Sequence, residues 1–325
     1  MSGTIVTVSP NTSTDRIAIV DGFAVGGTCR TVRRFDQAGG SGAHAASVIV
    51  ELGGEALAIV AIGGGNGDRW RHAAERQDLP AATVDLRCEN RSSFVLVDRT
   101  LGKIAEIVDP GPEVEPDEAE ALLRIVTDHL PGAALLVLSG SLPPGVPEDF
   151  YAACIARARG VGKQVLVDAH SAPMRAALAA RPWMIKPNLD ELHQIMGVAA
   201  STMAERIAAL RHLVATTVDN VLLSMEAEGV LLATAEGIWR LLPPAEPVTL
   251  PGSRGINPVG CCDALVGAFC HHWVGCGDMV ESARWGLAAA HVNLGKYEVP
   301  SSPLADVRRM AGQVTVEPVA APVTP

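Results

Sequence analysis

The chain has 325 residues, 48% of them apolar, enough for one large α/β domain with a small appendage and a substantial buried core. A formal charge of -10 leaves no basic face for nucleic acid. Seven cysteines without a CxxC pair, no secretory leader pattern and no apolar run of membrane-spanning length lead us to expect a reduced, soluble, cytoplasmic protein without a membrane partner.

TIVTVS (4–9) is short and β-branched, like a buried strand, and NTSTD (11–15) breaks it. RIAIV (16–20) and TVRRF (31–35) alternate as half-exposed strands do. AHAASVIVELGG (43–54) has helical spacing and a glycine stop. ALAIVAIGGGNGD (56–68) reads as a strand running into a glycine loop. SSFVLVD (92–98) and KIAEIVD (103–109), joined by RTLG, predict a β-hairpin. From about 116 onward helices and strands alternate. PDEAEALLRIVTDHL begins a helix with proline and acids in its first turn, ALLVLSG and QVLVDAH are strands, and DALVGAFCHHWVG and MVESARWGLAAAHVNLG are the last large helices. TVEPVAAPVTP (315–325) is expected to be a loose tail.

This rhythm predicts an α/β fold, with a mostly parallel central sheet covered by helices across residues 1–314. The half-exposed strands cluster in two insertions, near 12–36 and 87–109. They are expected to pair into a small β-sheet lid over the C-terminal strand ends, where such sheets bind ligands.

NPVGCCDALVGAF (257–269) puts Asp263 where an apolar helix begins, behind a turn of small residues. The turn's amides would point into the positive end of the helix, a setting for a phosphoryl group, and the carboxylate could take a proton from a hydroxyl. Taken alone, Asp263 reads first as an ordinary helix cap. DQAGGSGAHAA (36–46) and IGGGNGD (62–68) are further glycine-rich turns, but no clean GxGxxG or GxxxxGK[ST] occurs. That absence argues against a nicotinamide-dependent oxidoreductase. Cys261, Cys262, Cys270, His271 and His272 lie close together but lack the paired spacing of a zinc site.

In order, VSPNTSTD (8–15), DQAGGSG (36–42), VLSGSLPPGVP (137–147), MIKPNLDEL (184–192), LLSMEAEGVLL (222–232) and NPVGCCDALVGAF (257–269) resemble the ribokinase-like, PfkB-type carbohydrate kinases. The nearest branch is that of 1-phosphofructokinase and tagatose-6-phosphate kinase, and the likeness runs from about residue 4 to 300. It implies a three-layer α/β/α core and transfer of phosphate from ATP, with Mg2+, to a hydroxyl of a sugar or sugar phosphate, a ketohexose phosphate favoured. By resemblance Asp263 is the general base, and Gly260, Cys261 and Cys262 complete the anion hole. Asn11, Asp15, Gly39, Gly40 and His44 fall at acceptor-binding positions, and Arg91 at the substrate-phosphate position. Asn188 and Glu191 match the motif that organises Mg2+. Lys186, Ser224, Gly229 and Asn293 match nucleotide-binding positions. A homodimer through the lid sheets is expected, because exposed strand edges seek partners.

The chain departs from the branch at four places. Cys262 replaces the second glycine of Gly-x-Gly-Asp, Ser41 and His44 replace a lysine and an asparagine, Glu226 replaces a glycine, and Ser93 replaces an asparagine. Cys262 is expected to crowd the phosphoryl group or force an unfavourable backbone, and Glu226 to repel ATP phosphates. Two alternatives therefore stay open: a kinase for an unphosphorylated sugar or nucleoside, and a catalytically weakened sugar- or nucleotide-binding protein of the same fold.

Overall fold

The computed structural model describes residues 3–320. In chain order the elements are β1 (Thr4–Ser9), β2 (Ser13–Val20), β3 (Thr31–Ala38), α1 (Ser41–Glu51), β4 (Ala56–Ile62), α2 (Gly64–Arg76), β5 (Ala81–Asp85), β6 (Arg91–Asp98) and β7 (Lys103–Val108). Then follow α3 (Pro116–His129), β8 (Ala133–Ser139), α4 (Phe150–Gly160), β9 (Val165–Asp168), α5 (Ser171–Ala179), β10 (Met184–Ile185), α6 (Leu189–Met196), α7 (Met203–Thr216) and β11 (Asn220–Ser224). The chain continues through β12 (Val230–Thr234), β13 (Gly237–Leu242), α8 (Cys261–Cys276), α9 (Met279–Asn293), α10 (Leu304–Ala311) and β14 (Thr315–Ala320).

Ten strands form the main sheet in the order β14-β13-β12-β11-β10-β9-β8-β1-β4-β5. From β11 to β5 every pairing is parallel, while β12, β13 and β14 add on antiparallel at one edge. Parallel strands covered on both faces need apolar residues at successive positions. ALLVLS in β8 shows why. Leu135 and Val137 enter the core layer under α1, α8 and α9, and Leu136 and Leu138 enter the opposite layer under α3 and α4. The result is the expected three-layer α/β/α core.

The second sheet has the order β3-β2-β6-β7, assembled from the two insertions as expected. β2 pairs antiparallel with β3 and parallel with β6, which forms the hairpin with β7. One face buries Ile17, Ile19, Val95 and Val97 against Leu250, Val259 and Tyr297. The small sheet is thus seated on the loop that leads into α8.

Two expectations are corrected. Residues 315–320 are not a loose tail: β14 pairs antiparallel with β13, because alternate residues such as Val314 and Val316 pack on the core. The rest of the expected tail, 321–325, lies outside the described residues. Residues 62–68 are not a glycine loop either. Gly64 opens α2, whose tryptophan, Trp70, is buried and donates from Nε1 to Gly39 O at 3.0 Å. A low-propensity first turn is outweighed by that packing.

Candidate active site

A cavity of about 240 Å³ opens at the C-terminal ends of β1, β8, β9 and β10. Its wall combines Ser9 and Asn11 after β1, Ser139–Ser141 after β8, Asp168–His170 after β9 and Lys186 after β10. Helix starts supply Ser41 (α1), Asn188 and Glu191 (α6), and Cys262 and Asp263 (α8). Arg91 comes from the first residue of β6, so the small sheet contributes a side chain to the site. Three carboxylates, Asp168, Glu191 and Asp263, face two fixed cations, Arg91 and Lys186.

The cap of α8 is Gly260, in the left-handed region at φ 75°, and Asp263 is the third helical residue rather than the cap. A Cβ on Gly260 would come within 2.6 Å of Val299 Cγ1, so glycine is required twice over. Asn257 fixes the loop before it: its amide donates to Leu294 O (2.7 Å), its Nδ2 to Lys296 O (3.1 Å), and its Oδ1 accepts from Val259 N (3.1 Å). Cys261 N donates to Pro258 O at 3.2 Å. Among the described residues the amides of Gly260, Cys262 and Asp263 make no such bond. These are the orphan donors of a helix N-terminus, left for a ligand.

Cys261 turns inward, its Sγ against Ala290 O and Asn293 Nδ2 (3.4 and 3.3 Å), and burial pushes its thiol up to about 12. Cys262 turns to the cavity with an ordinary helical φ, so the expected backbone penalty at this position does not arise. Glu226 does carry a strain of that kind. Its φ is 50°, where the branch has glycine, but its side chain is exposed and outside the cavity wall.

Asp263 Oδ2 is 2.8 Å from His44 Nδ1, and its other oxygen takes no bond from the described residues. His44 Nε2 is in turn 2.8 Å from Asp15 Oδ2, an ion-pair contact whose N–H direction is poorly aligned. Burial would lower the His44 pKa, but the bonds and charges of Asp15 and Asp263 outweigh it and raise it to about 10. Asp15 also accepts from Ser13 Oγ at 2.6 Å. Asp15, Gly39, Gly40 and His44 therefore stand behind the cavity wall and not on it.

Lys186 is only 2% exposed and pairs with Asp168 at 3.1 Å. Burial opposes its charge, yet Asp168, Cys262 and Glu191 together hold the ammonium well above its ordinary range. Burial pushes the Asp168 carboxyl up to about 6, with Lys186 pulling against it. Asn188 and Glu191 form a reciprocal cap on α6: Asn188 Oδ1 accepts from Glu191 N (2.8 Å) and Glu191 Oε2 from Asn188 N (2.9 Å). Arg91 Nε donates to Asn11 O at 3.1 Å, and Asn11 Nδ2 donates to Ser141 Oγ at 2.9 Å. Asn11 Oδ1 and Ser139 Oγ are buried without a partner, an arrangement suited to ligand hydroxyls.

Of the nucleotide positions, only Lys186 reaches this cavity. Ser224 Oγ donates to Pro187 O at 3.3 Å behind it. Gly229 is a turn glycine whose added Cβ would strike Leu241 O. Asn293 is fully buried and internally bonded: Nδ2 donates to Val259 O (2.8 Å) and Oδ1 accepts from Ser301 N (3.0 Å). It braces the turn before α8 rather than facing a ligand. Ser9, Ser139, Ser141, Asp168 and His170 were not singled out from sequence, and Ser41 only as a departure from the family branch. The signal available was position, since each ends a core strand, follows one closely or opens a helix. Among the described residues no group of three or more His, Cys, Asp or Glu is arranged to hold a metal.

A sequence profile of the pfkB family carbohydrate kinases matches residues 6–305. The 1-phosphofructokinase of Rhodobacter capsulatus is 30% identical over 326 residues, covering 97% of this chain and 99% of the relative. The structure of phosphofructokinase-2 from Escherichia coli in complex with fructose-6-phosphate superposes with a TM-score of 0.85 at 26% identity, covering 95% of this chain and 98% of that one. A tetrameric inhibited form of the same Escherichia coli enzyme superposes equally well (TM-score 0.85, 26% identity, 95% and 98% covered).

Proposed function

The chain belongs to the pfkB family of carbohydrate kinases, enzymes that transfer phosphate to a hydroxyl, and from that premise we propose that it moves the γ-phosphoryl group of ATP onto a ketohexose phosphate, with Asp263 as general base. One observation carries this reading. The Asp263 carboxylate lines the cavity with one oxygen free, in the first turn of a helix whose opening amides are unpaired.

The free Asp263 oxygen takes the proton of the acceptor hydroxyl as its oxygen attacks the γ-phosphorus, and ADP leaves on the far side. The unpaired amides of Gly260, Cys262 and Asp263 offset charge on the transferring oxygens. Lys186 supplies a fixed cation nearby, and Arg91 offers its planar fork to the phosphate the acceptor already carries. Asn11 and Ser139, both on the cavity wall, stand beside the acceptor. The small sheet, which brings Arg91, excludes water from the transfer.

A wall with three carboxylates against two cations repels a polyphosphate unless a divalent cation accompanies it. Magnesium fits as a water-retaining ion held by few protein oxygens. Glu191, whose Oε1 is unpaired, and Asn188 would hold it through water, and when bound it would neutralise and align the phosphate oxygens.

The lid's β7 edge is the surface through which two copies would pair, since Ile107 and Val108 are 63% and 53% exposed there, and Val32 on the opposite edge strand β3 is 52% exposed. No helix among the described residues is long and apolar enough to cross a membrane, and all seven cysteines are free, in keeping with a cytoplasmic enzyme.

The test is ADP release across fructose 1-phosphate, fructose 6-phosphate, tagatose 6-phosphate, free hexoses and nucleosides, with and without Mg2+. Asp263→Asn should fold normally and lose about 10²–10⁴-fold in kcat on the best acceptor. Near-normal turnover in that variant would remove the general-base assignment. Preference for a free sugar or nucleoside would favour the second reading, which draws on the withdrawal of Asp15 behind His44.

A further inference from the structure

His44 joins three elements. It lies in the first turn of α1, is 6% exposed, and touches Asp15 of β2 and Asp263 of α8, each at 2.8 Å and through opposite ring nitrogens. Asp15 has no freedom to turn away. Its second oxygen accepts from Ser13 Oγ, and its carboxyl fills the space beside Gly39, where a Cβ would lie 2.3 Å away. A neutral imidazole carries a proton on one nitrogen only and would set a lone pair against the other carboxylate. Two carboxylates at this distance favour both nitrogens protonated, Nε2 meeting Asp15 as an ion pair and not as an aligned hydrogen bond. Asp263 Oδ2 is thereby occupied, and Oδ1 is the one oxygen left for the cavity.

We propose that His44 is a positioning residue: an imidazolium clamped between Asp15 and Asp263 that fixes the Asp263 carboxylate with Oδ1 toward the acceptor hydroxyl. Asp15 then acts on the reaction through the ring and not on the sugar. The ring neither gains nor loses a proton in the transfer, since the hydroxyl proton goes to Asp263 Oδ1. This inference rests on the general-base reading of Asp263 and deepens it. It also gives the asparagine-to-histidine departure at position 44 a purpose.

Nitrogen-15 NMR of the imidazoles in the full-length protein tests the clamp without any turnover. At about pH 8, above the ordinary histidine pKa of ~6.5, His44 of the wild type should carry both ring protons, and Asp15→Asn or Asp263→Asn should leave a neutral ring. A neutral ring in the wild type overturns the clamp. Kinetics supply the second arm. Asp15→Asn should lower kcat on the order of 10²-fold with little change in the acceptor KM. His44→Ala should do the same, and His44→Asn should recover part of the loss. A raised KM at unchanged kcat in Asp15→Asn returns that residue to the sugar and overturns the proposal. If the wild type phosphorylates no acceptor, the general-base reading fails on its own, and the ring spectrum still judges the clamp.

Discussion

Gly260 and Cys262 sit two residues apart under different constraints. Only Gly260 has a left-handed φ, so only there must the side chain be absent. A turn whose donors are main-chain amides tolerates a thiol at 262, a distinction a string of letters does not carry. Histidine 44 has a thermodynamic side as well. Its ordinary pKa of 6.5 is raised to about 10 in the folded state, where burial is outweighed by Asp15 and Asp263. A raised pKa stabilises fully below the unfolded value and is lost as pH climbs through the folded one. The fold should therefore weaken between pH 6.5 and about 10, by an amount on the order of a few kcal/mol. Urea midpoints across that range measure it. An equally steep decline in His44→Asn would show that another group is responsible. Arg91, Lys186 and Glu191 were legible as cavity residues through the family resemblance of their motifs, and Asp263 also through its place at a helix start. The Asp15–His44–Asp263 chain was not legible, since positions 15, 44 and 263 meet only through tertiary packing.

At the scale of elements, α2 shows how packing overrides local propensity. Its first residues, GGNGDR, are poor helix formers, yet the helix forms because Trp70 is buried beneath the Gly39–Gly40 turn and hydrogen-bonded to it. Replacing Trp70 by alanine should cost about 3–5 kcal/mol of stability by chemical denaturation. A loss below about 1 kcal/mol would mean the ring is not fixing that turn. The same logic explains β14. Its Pro, Ala and Val content suggested a tail, but an edge strand accepts proline such as Pro318, and β13 offered an open edge to pair with. The buried parallel strands were readable from their continuous apolar runs. β10 is only Met184–Ile185, because Lys186 and Asn188 leave the strand line to serve the cavity.

For the molecule as a whole, alternation of strand and helix was enough to give the layered core, and the two half-exposed segments were enough to give the small sheet. The proposed assembly uses that sheet's outer strands. Light scattering should find a dimer at micromolar concentration, and Ile107→Lys should shift it to monomer. A wild type that stays monomeric over that range would rule out pairing through this edge. Where the small sheet rests has a further result. Its underside shares Leu250 and Val259 with the segment running straight into Gly260, and Gly102 at its hairpin tip lies in close contact with Gly255. The small sheet and the turn that opens α8 thus share their packing. On the proposed function, swinging the small sheet aside to free product would disturb the α8 turn as well, so the two ends of the cleft would loosen together.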